Sequence, residues 1–123
     1  MSEHIIKVVL IDDHALVRDG IRSLLEDNQQ IQVVGEAADG QQGLEVIRET
    51  QPDVAIVDIR MPGMSGIDTM KQIPGYSDKT RGMILSMHDS EEYVLNSIQA
   101  GARGYLLKDI SSDEFVKAIQ TVH

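Results

Sequence analysis

The chain has 123 residues, 41% of them hydrophobic, which suits one domain with its own core. Its formal net charge of -9 argues against this segment itself gripping nucleic acid, and suits cations or a basic partner surface. It contains no cysteine, which excludes disulfides and thiolate-bound zinc.

The N-terminus, Met1-Ser2-Glu3-His4, has no basic region followed by a long apolar stretch. The expectation is therefore no signal peptide, no membrane segment and a cytoplasmic location. Lys7-Val8-Val9-Leu10-Ile11 reads as the first strand and stops at Asp12-Asp13. A helical period follows from His14, with Val17, Ile21, Leu24 and Leu25 on one face and Asp13 placed as its N-cap. Residues 31–34 read as a second strand and Gly35 to Gly40 as a loop. Asp39 with Gln42 resembles a capping box, and Leu44 and Ile47 continue that helix until Pro52. Val54-Ala55-Ile56-Val57 is a continuous apolar run, as in a strand buried on both faces, and it delivers Asp58 before the turn at Pro62-Gly63. Ser65 with Asp68 opens a short helix that Pro74-Gly75 breaks. Residues 83–86 form the fourth strand. Asp89 or Ser90 starts the next helix, with Val94 and Ile98 as its apolar face and Gly101 as its stop. Residues 104–108 form the fifth strand, and Ser111 with Glu114 caps a last helix whose Phe115, Ile119 and Val122 face inward.

Strands and helices thus alternate five times, which predicts a (βα)5 three-layer sandwich around a parallel sheet. The chain ends at His123 with no Gly or Pro to stop the last helix, so a further downstream domain is expected. No Gly-Lys pair and no G-x-G-x-x-G pattern occurs, which removes a P-loop and the usual dinucleotide fingerprint.

In a parallel sheet the carboxyl ends of the strands share one rim, where open α/β folds place their ligands. Asp12 and Asp13 end the first strand, Asp58 the third, Ser86 the fourth and Lys108 the fifth. Three converging carboxylates repel, and they stay ionised together only around a cation. Oxygen-only ligation suits Mg²⁺, at about 2.0–2.1 Å per ligand. A phosphoryl group arriving at Asp58 as nucleophile would be neutralised by the metal and the Lys108 ammonium, and Ser86 could donate to a phosphate oxygen. Singly, each residue also fits a plainer role. Asp58 could end a turn, Asp13 could be a cap, Ser86 a strand-end hydroxyl, Lys108 a solvated charge and Tyr105 a packing residue. His14 and His88 are expected to face solvent, and the six methionines to fill the core.

The motifs Ile11-Asp12-Asp13-His14, Val57-Asp58-Ile59-Arg60-Met61-Pro62-Gly63-Met64-Ser65-Gly66, Ser86 and Gly101-Ala102-Arg103-Gly104-Tyr105-Leu106-Leu107-Lys108-Asp109 resemble the receiver domain of two-component response regulators. The likeness runs from about Lys7 to Val122, and the wording around Asp12 and Lys108 resembles the NarL/FixJ (LuxR-type) subgroup. It implies a flavodoxin-like fold with strand order 2-1-3-4-5. It implies that Asp58 takes phosphate from a phosphohistidine on a sensor histidine kinase. Asp13, Asp58 and the Arg60 carbonyl would ligate Mg²⁺, with Asp12 helping through water. Ser86 and Tyr105 would act as the switch and Lys108 as partner of the phosphate. It further implies a homodimer or control of a C-terminal helix-turn-helix domain, and DNA binding only through that domain.

Asp109 stands where many receivers have proline, and a cis peptide there would cost about 3–4 kcal/mol without it. Arg60 and His88, each two residues past a site residue, are expected to set the lifetime of the acyl phosphate. A Mg²⁺-dependent phosphatase with an aspartyl nucleophile would carry a second acid two residues after Asp58, where this chain has Arg60. A non-phosphorylated interaction module would have no use for the complete acidic set with Lys108.

Overall fold

Strands that are apolar on both sides need cover on both faces, and helices supply it here. The structure is a computed structural model that describes residues 4–87 and 90–123. It contains β1 (Ile6–Ile11), α1 (Ala15–Glu26), β2 (Ile31–Ala37), α2 (Gly40–Thr50), β3 (Val54–Val57), α3 (Gly66–Gln72), β4 (Arg81–Ser86), α4 (Glu91–Gln99), β5 (Gly104–Leu107) and α5 (Ser112–Val122). All strand pairings are parallel, in the order β2-β1-β3-β4-β5.

The period of two along each strand divides the core into two layers. Val9, Ile11, Ala55, Val57 and Ile84 pack on one face with Leu44 and Ile47 of α2 and Met70 of α3. Val8, Leu10, Val54, Ile56, Met83 and Leu85 pack on the other with Leu25 of α1 and Phe115 and Ile119 of α5. This is the expected three-layer α/β sandwich with the flavodoxin-like strand order. Among the described residues, no helix is long and apolar enough to cross a membrane.

Capping chemistry sets most helix starts. The Asp39 carboxylate accepts the Gln42 N–H at 2.8 Å, and the Gln42 side-chain oxygen in turn accepts the Ala38 N–H at 3.0 Å. Ser65 and Ser111 accept the N–H groups of Asp68 and Glu114 in the same way. Gly101, at φ +108°, follows the end of α4 in a conformation glycine adopts without strain.

Four expectations are corrected. First, β2 runs on to Ala37 instead of ending at Val34. The β1–β2 register slips between Val8 and Val9, so that Val9 pairs with Gly35 and the ladder continues past the irregularity. Second, Asp13 does not cap α1. His14 takes the N-cap position without a side-chain bond, and its N–H goes to the Asp12 carboxylate at 2.9 Å. Third, the inward face of α4 is not built on Ile98, which is 57% exposed. Ser97 is buried instead, because its hydroxyl donates to the Tyr93 carbonyl within the helix and so tolerates the apolar side. Fourth, β4 starts two residues early, at Arg81, since the Arg81 N–H bonds Asp53 O beside β3. Ser90 is the N-cap of α4, whereas His88 and Asp89 lie outside the described residues. Among the described residues no peptide bond is cis, the one between Lys108 and Asp109 included.

Two glycines make opposite predictions. A Cβ on Gly66 would lie 2.0 Å from the Asp58 carbonyl oxygen, so backbone would have to move. Gly66→Ala is expected to destabilise the chain by about 1–3 kcal/mol. Gly20 lies within α1 with nothing within 4 Å of its Cβ position, and Gly20→Ala is expected to stabilise by about 0.5–1 kcal/mol. Urea unfolding of the two variants against the parent checks both signs.

Candidate functional site

The rim formed by the carboxyl ends of β1, β3, β4 and β5 collects the chemistry-bearing residues. Main-chain bonds carry the sheet one residue past its strands and fix where those residues sit. The Asp12 N–H donates to Ala37 O at 3.1 Å, the Asp58 N–H to Ile11 O at 2.9 Å and the Lys108 N–H to Ser86 O at 2.8 Å. Each side chain therefore leaves the rim from a backbone position that a neighbouring strand holds.

Asp12 and Asp58 are buried, at 4% and 7% exposure, and Ser86 is fully buried. Lys108 Nζ lies 2.9 Å from Asp12 Oδ2 and 3.4 Å from Asp58 Oδ2, so one ammonium spans two strands. Carboxylate oxygens of Asp12, Asp13 and Asp58 and a ring nitrogen of His14 all lie within 4.8 Å of one another. Asp13 Oδ1 is buried yet accepts no hydrogen bond among the described residues. A buried carboxylate oxygen that accepts no hydrogen bond is costly, and a hard cation bound among these oxygens would satisfy it. The donor set thus fits a divalent ion of the Mg²⁺ kind, with Asp12, Asp13 and Asp58 as the side chains able to hold it.

Burial pushes the Asp58 carboxyl above the ordinary aspartate value. The Lys108 ammonium opposes that rise, while the charges of Asp12 and Asp13 add to it. A carboxylate held at some cost in free energy is one that gains when positive charge arrives.

The remaining expected residues surround this centre. Arg60 is exposed and lines an open groove of about 520 Å³ together with Asp13, Met61, Pro62 and Tyr93. Tyr105, on β5, is partly buried against the layer that contains Ile84 and Ala102. Met64 and Met61 pack on that same layer and Met70 and Met83 are core, whereas Met87 is 73% exposed and corrects the expectation that all six methionines fill the core; Met1 lies outside the described residues.

Two neighbours were not anticipated from the sequence. His14 is exposed, as expected, but its Nδ1 lies 3.1 Å from Asp13 Oδ1 and 3.4 Å from Asp12 Oδ1. Arg18 donates to the Asp12 carbonyl and pairs with Glu36 at 3.4 Å, and Arg22 pairs with the same glutamate, so α1 is tied to β2 beneath the acidic loop. The available signal was the spacing of Arg18 and Arg22, one helical turn apart, facing a lone acid late in the second strand.

Comparison with known proteins shows the family and the fold. The family model described as "Response regulator receiver domain" matches residues 8–120. The transcriptional regulatory protein MctR of Rhizobium johnstonii is 48% identical over 117 residues, covering 95% of this chain and 55% of that protein. The nitrate/nitrite response regulator protein NarL of Escherichia coli K12 is 38% identical over 112 residues, covering 91% of this chain and 52% of that protein. The chain therefore spans about half the length of these curated relatives. Among solved structures, the signal receiver domain of the response regulator NarL from Mycobacterium tuberculosis superposes with a TM-score of 0.91 at 42% identity, covering 96% of this chain and 95% of that one. The response regulator domain of Thermotoga maritima CheB gives 0.89 at 27% identity, covering 97% and 96%.

The raised Asp58 carboxyl generates a stability prediction. Its folded value lies above its unfolded one, so the charged form weakens the fold at neutral pH, and that penalty fades as pH falls through the folded value. Without divalent ions, Asp58→Asn is expected to be more stable than the parent at neutral pH by about 1 kcal/mol. The gain should shrink on acidification and vanish below the unfolded value of about 3.9. Urea unfolding across a pH series reads this, and no gain at neutral pH would refute the electrostatic account.

Proposed function

Because the chain belongs to the response regulator receiver family, whose members generally bind Mg²⁺ at an acidic pocket, we propose that it is a phosphoacceptor of a two-component system, taking a phosphoryl group from a sensor histidine kinase onto Asp58. The observation that carries the reading is the Lys108 ammonium between Asp12 and Asp58, at 2.9 and 3.4 Å, beside a buried Asp13 carboxylate oxygen that accepts no hydrogen bond among the described residues.

In the transfer, an Asp58 carboxylate oxygen attacks phosphorus, the phosphorus–nitrogen bond of the donor phosphohistidine breaks, and the imidazole leaves with the electron pair and takes up a proton. Asp58 is the nucleophile and must be ionised, which the nearby ammonium favours. The three phosphoryl oxygens then carry more negative charge than the carboxylate alone. Lys108 is within reach to pair with one of them, and the Ser86 hydroxyl at the end of β4 can donate to another. Mg²⁺, held by Asp13, Asp58 and the Arg60 carbonyl with Asp12 through water, would supply the charge neutralisation that phosphoryl transfer chiefly needs. Hydrolysis of the acyl phosphate returns the free carboxylate. Arg60 beside the site screens the phosphate from water or admits it, and so sets its lifetime.

The output follows from the same rim. Ser86 drawn toward the phosphate and Tyr105 turning inward behind it would alter the face built from α4, β5 and α5. Relatives with names such as transcriptional regulatory protein are about twice this chain's length. The chain is accordingly read as the receiver part, residues 1–123, of a cytoplasmic transcription regulator. Phosphorylation would control pairing with a second copy or the release of a C-terminal helix-turn-helix domain, through which alone DNA would be bound.

Intact mass after incubation with Mg²⁺ and acetyl phosphate is expected to show one added phosphoryl group on the parent and none on Asp58→Asn. A parent left unmodified by both acetyl phosphate and its kinase would sink the proposal. Separately, Asp13→Ala is expected to weaken Mg²⁺ binding roughly tenfold or more, since it removes a direct ligand where even supporting residues matter that much. An unchanged Mg²⁺ titration would show the ligand to be misplaced.

A further inference from the structure

At the end of the sheet opposite Asp58, three side chains from distant parts of the chain meet. His4 lies just before β1, Asp53 just before β3 and His123 just after α5. One donor atom from each lies within 4.8 Å of the others. The two imidazole rings stack, 4.5 Å between centroids and 21° between planes. His4 Nε2 is 3.6 Å from Asp53 Oδ2.

That distance is too long for a hydrogen bond. It is close to the separation of two ligands on one tetrahedral metal, which is about 3.3–3.4 Å when each bond is about 2.0–2.1 Å. The donors are also held in place. The Lys7 N–H donates to Asp53 Oδ2 at 2.9 Å, and the Asp53 N–H returns a bond to Lys7 O at 2.8 Å. An N–H bond of this kind orients a ligating carboxylate and leaves the oxygen a further lone pair. On the third side, the Arg81 guanidinium donates to the carbonyls of Val122 and His123 at 3.0 and 2.7 Å, which fixes the end of α5. Lys79 contacts the other Asp53 oxygen, Oδ1, at 3.3 Å from an exposed position, and so leaves Oδ2 to a ligand.

We propose that His4, Asp53 and His123 form a second metal site, for a borderline divalent ion of the Zn²⁺ class, with water in the fourth position. Two imidazole nitrogens and one carboxylate oxygen are the donors such ions prefer, whereas Mg²⁺ prefers oxygen donors such as the three carboxylates of the other rim. The site is chemically distinct from the phosphoacceptor centre and does not depend on it. Its occupancy clasps the chain entering β1 to the chain leaving α5.

The test is calorimetric titration of the chain with Zn²⁺ in excess Mg²⁺, which keeps the acidic rim supplied with its own ion. One Zn²⁺ per chain is expected. His4→Ala and His123→Ala should each weaken binding roughly tenfold or more, and the double variant should abolish it while still accepting phosphate from acetyl phosphate. Asp13→Ala should bind Zn²⁺ as the parent does. Thermal melts without metal confirm that the histidine variants are folded, and Zn²⁺ should raise the melting temperature of the parent but not of the double variant. No binding by the parent, undiminished binding by the double variant, or loss of binding in Asp13→Ala would each overturn the proposal.

Discussion

The contact on which the site depends is that of the Lys108 ammonium with Asp12 and Asp58. Parallel strands bring three carboxylates to one rim because every strand ends there, and without a cation those charges would push apart. Lys108 answers part of that repulsion from the fifth strand, across β4 and β3, and so ties residues 12, 58 and 108 together in space. It does not answer all of it. Asp58 remains above its ordinary carboxyl value despite the ammonium, and Asp13 Oδ1 accepts no hydrogen bond among the described residues. These side chains alone leave the negative charge of the rim incompletely balanced, which suits them to holding a cation.

Precision at this rim comes from the backbone more than from side-chain packing. Asp12, Asp58 and Lys108 each use their own N–H to extend the ladder by one step, onto Ala37, Ile11 and Ser86. Gly66 presses against the Asp58 carbonyl so closely that no side chain fits, and its N–H bonds Ile59 O at 2.8 Å. The turn that follows Asp58 is therefore locked to the start of α3, and the core below carries the load, with Val57 and Ile59 on either side of Asp58 both buried.

Most of this could be read in the sequence because burial on both faces leaves a strong trace. The four-residue apolar run of β3, the caps Asp39, Ser65 and Ser111, and the strand-end positions of Asp12, Asp58, Ser86 and Lys108 are all local signals, and the structure brings those four strand-end residues to one rim. What failed was non-local. The length of β2 is decided by its partner strand, through a register slip that residues 31–37 do not announce. The inward face of α4 fell to Ser97 over Ile98 because a serine satisfied within its own helix can be buried, and hydropathy alone ranks the two the other way. His14 and Arg18 reach the acids only through the fold of the β1–α1 loop, and the meeting of His4, Asp53 and His123 spans nearly the entire chain.

On the proposed chemistry, the same ammonium also explains how a small event at Asp58 could travel. Lys108 is now nearer to Asp12, at 2.9 Å, than to Asp58, at 3.4 Å. A phosphoryl group on Asp58 would concentrate negative charge on that side and favour Lys108 there, loosening its hold on Asp12. The Lys108 N–H is bonded to the Ser86 carbonyl, and Tyr105 lies three residues upstream on the same strand, so β4 and β5 share any displacement of this backbone. α4 touches β5 and carries the exposed Leu95 and Ile98, which makes it the surface best placed to register the change. On that proposal, a shift in which acid holds the ammonium would act together with Ser86 and Tyr105 on the strand that supports the outer face, so that chemistry at the rim would reach the surface of α4 through β5.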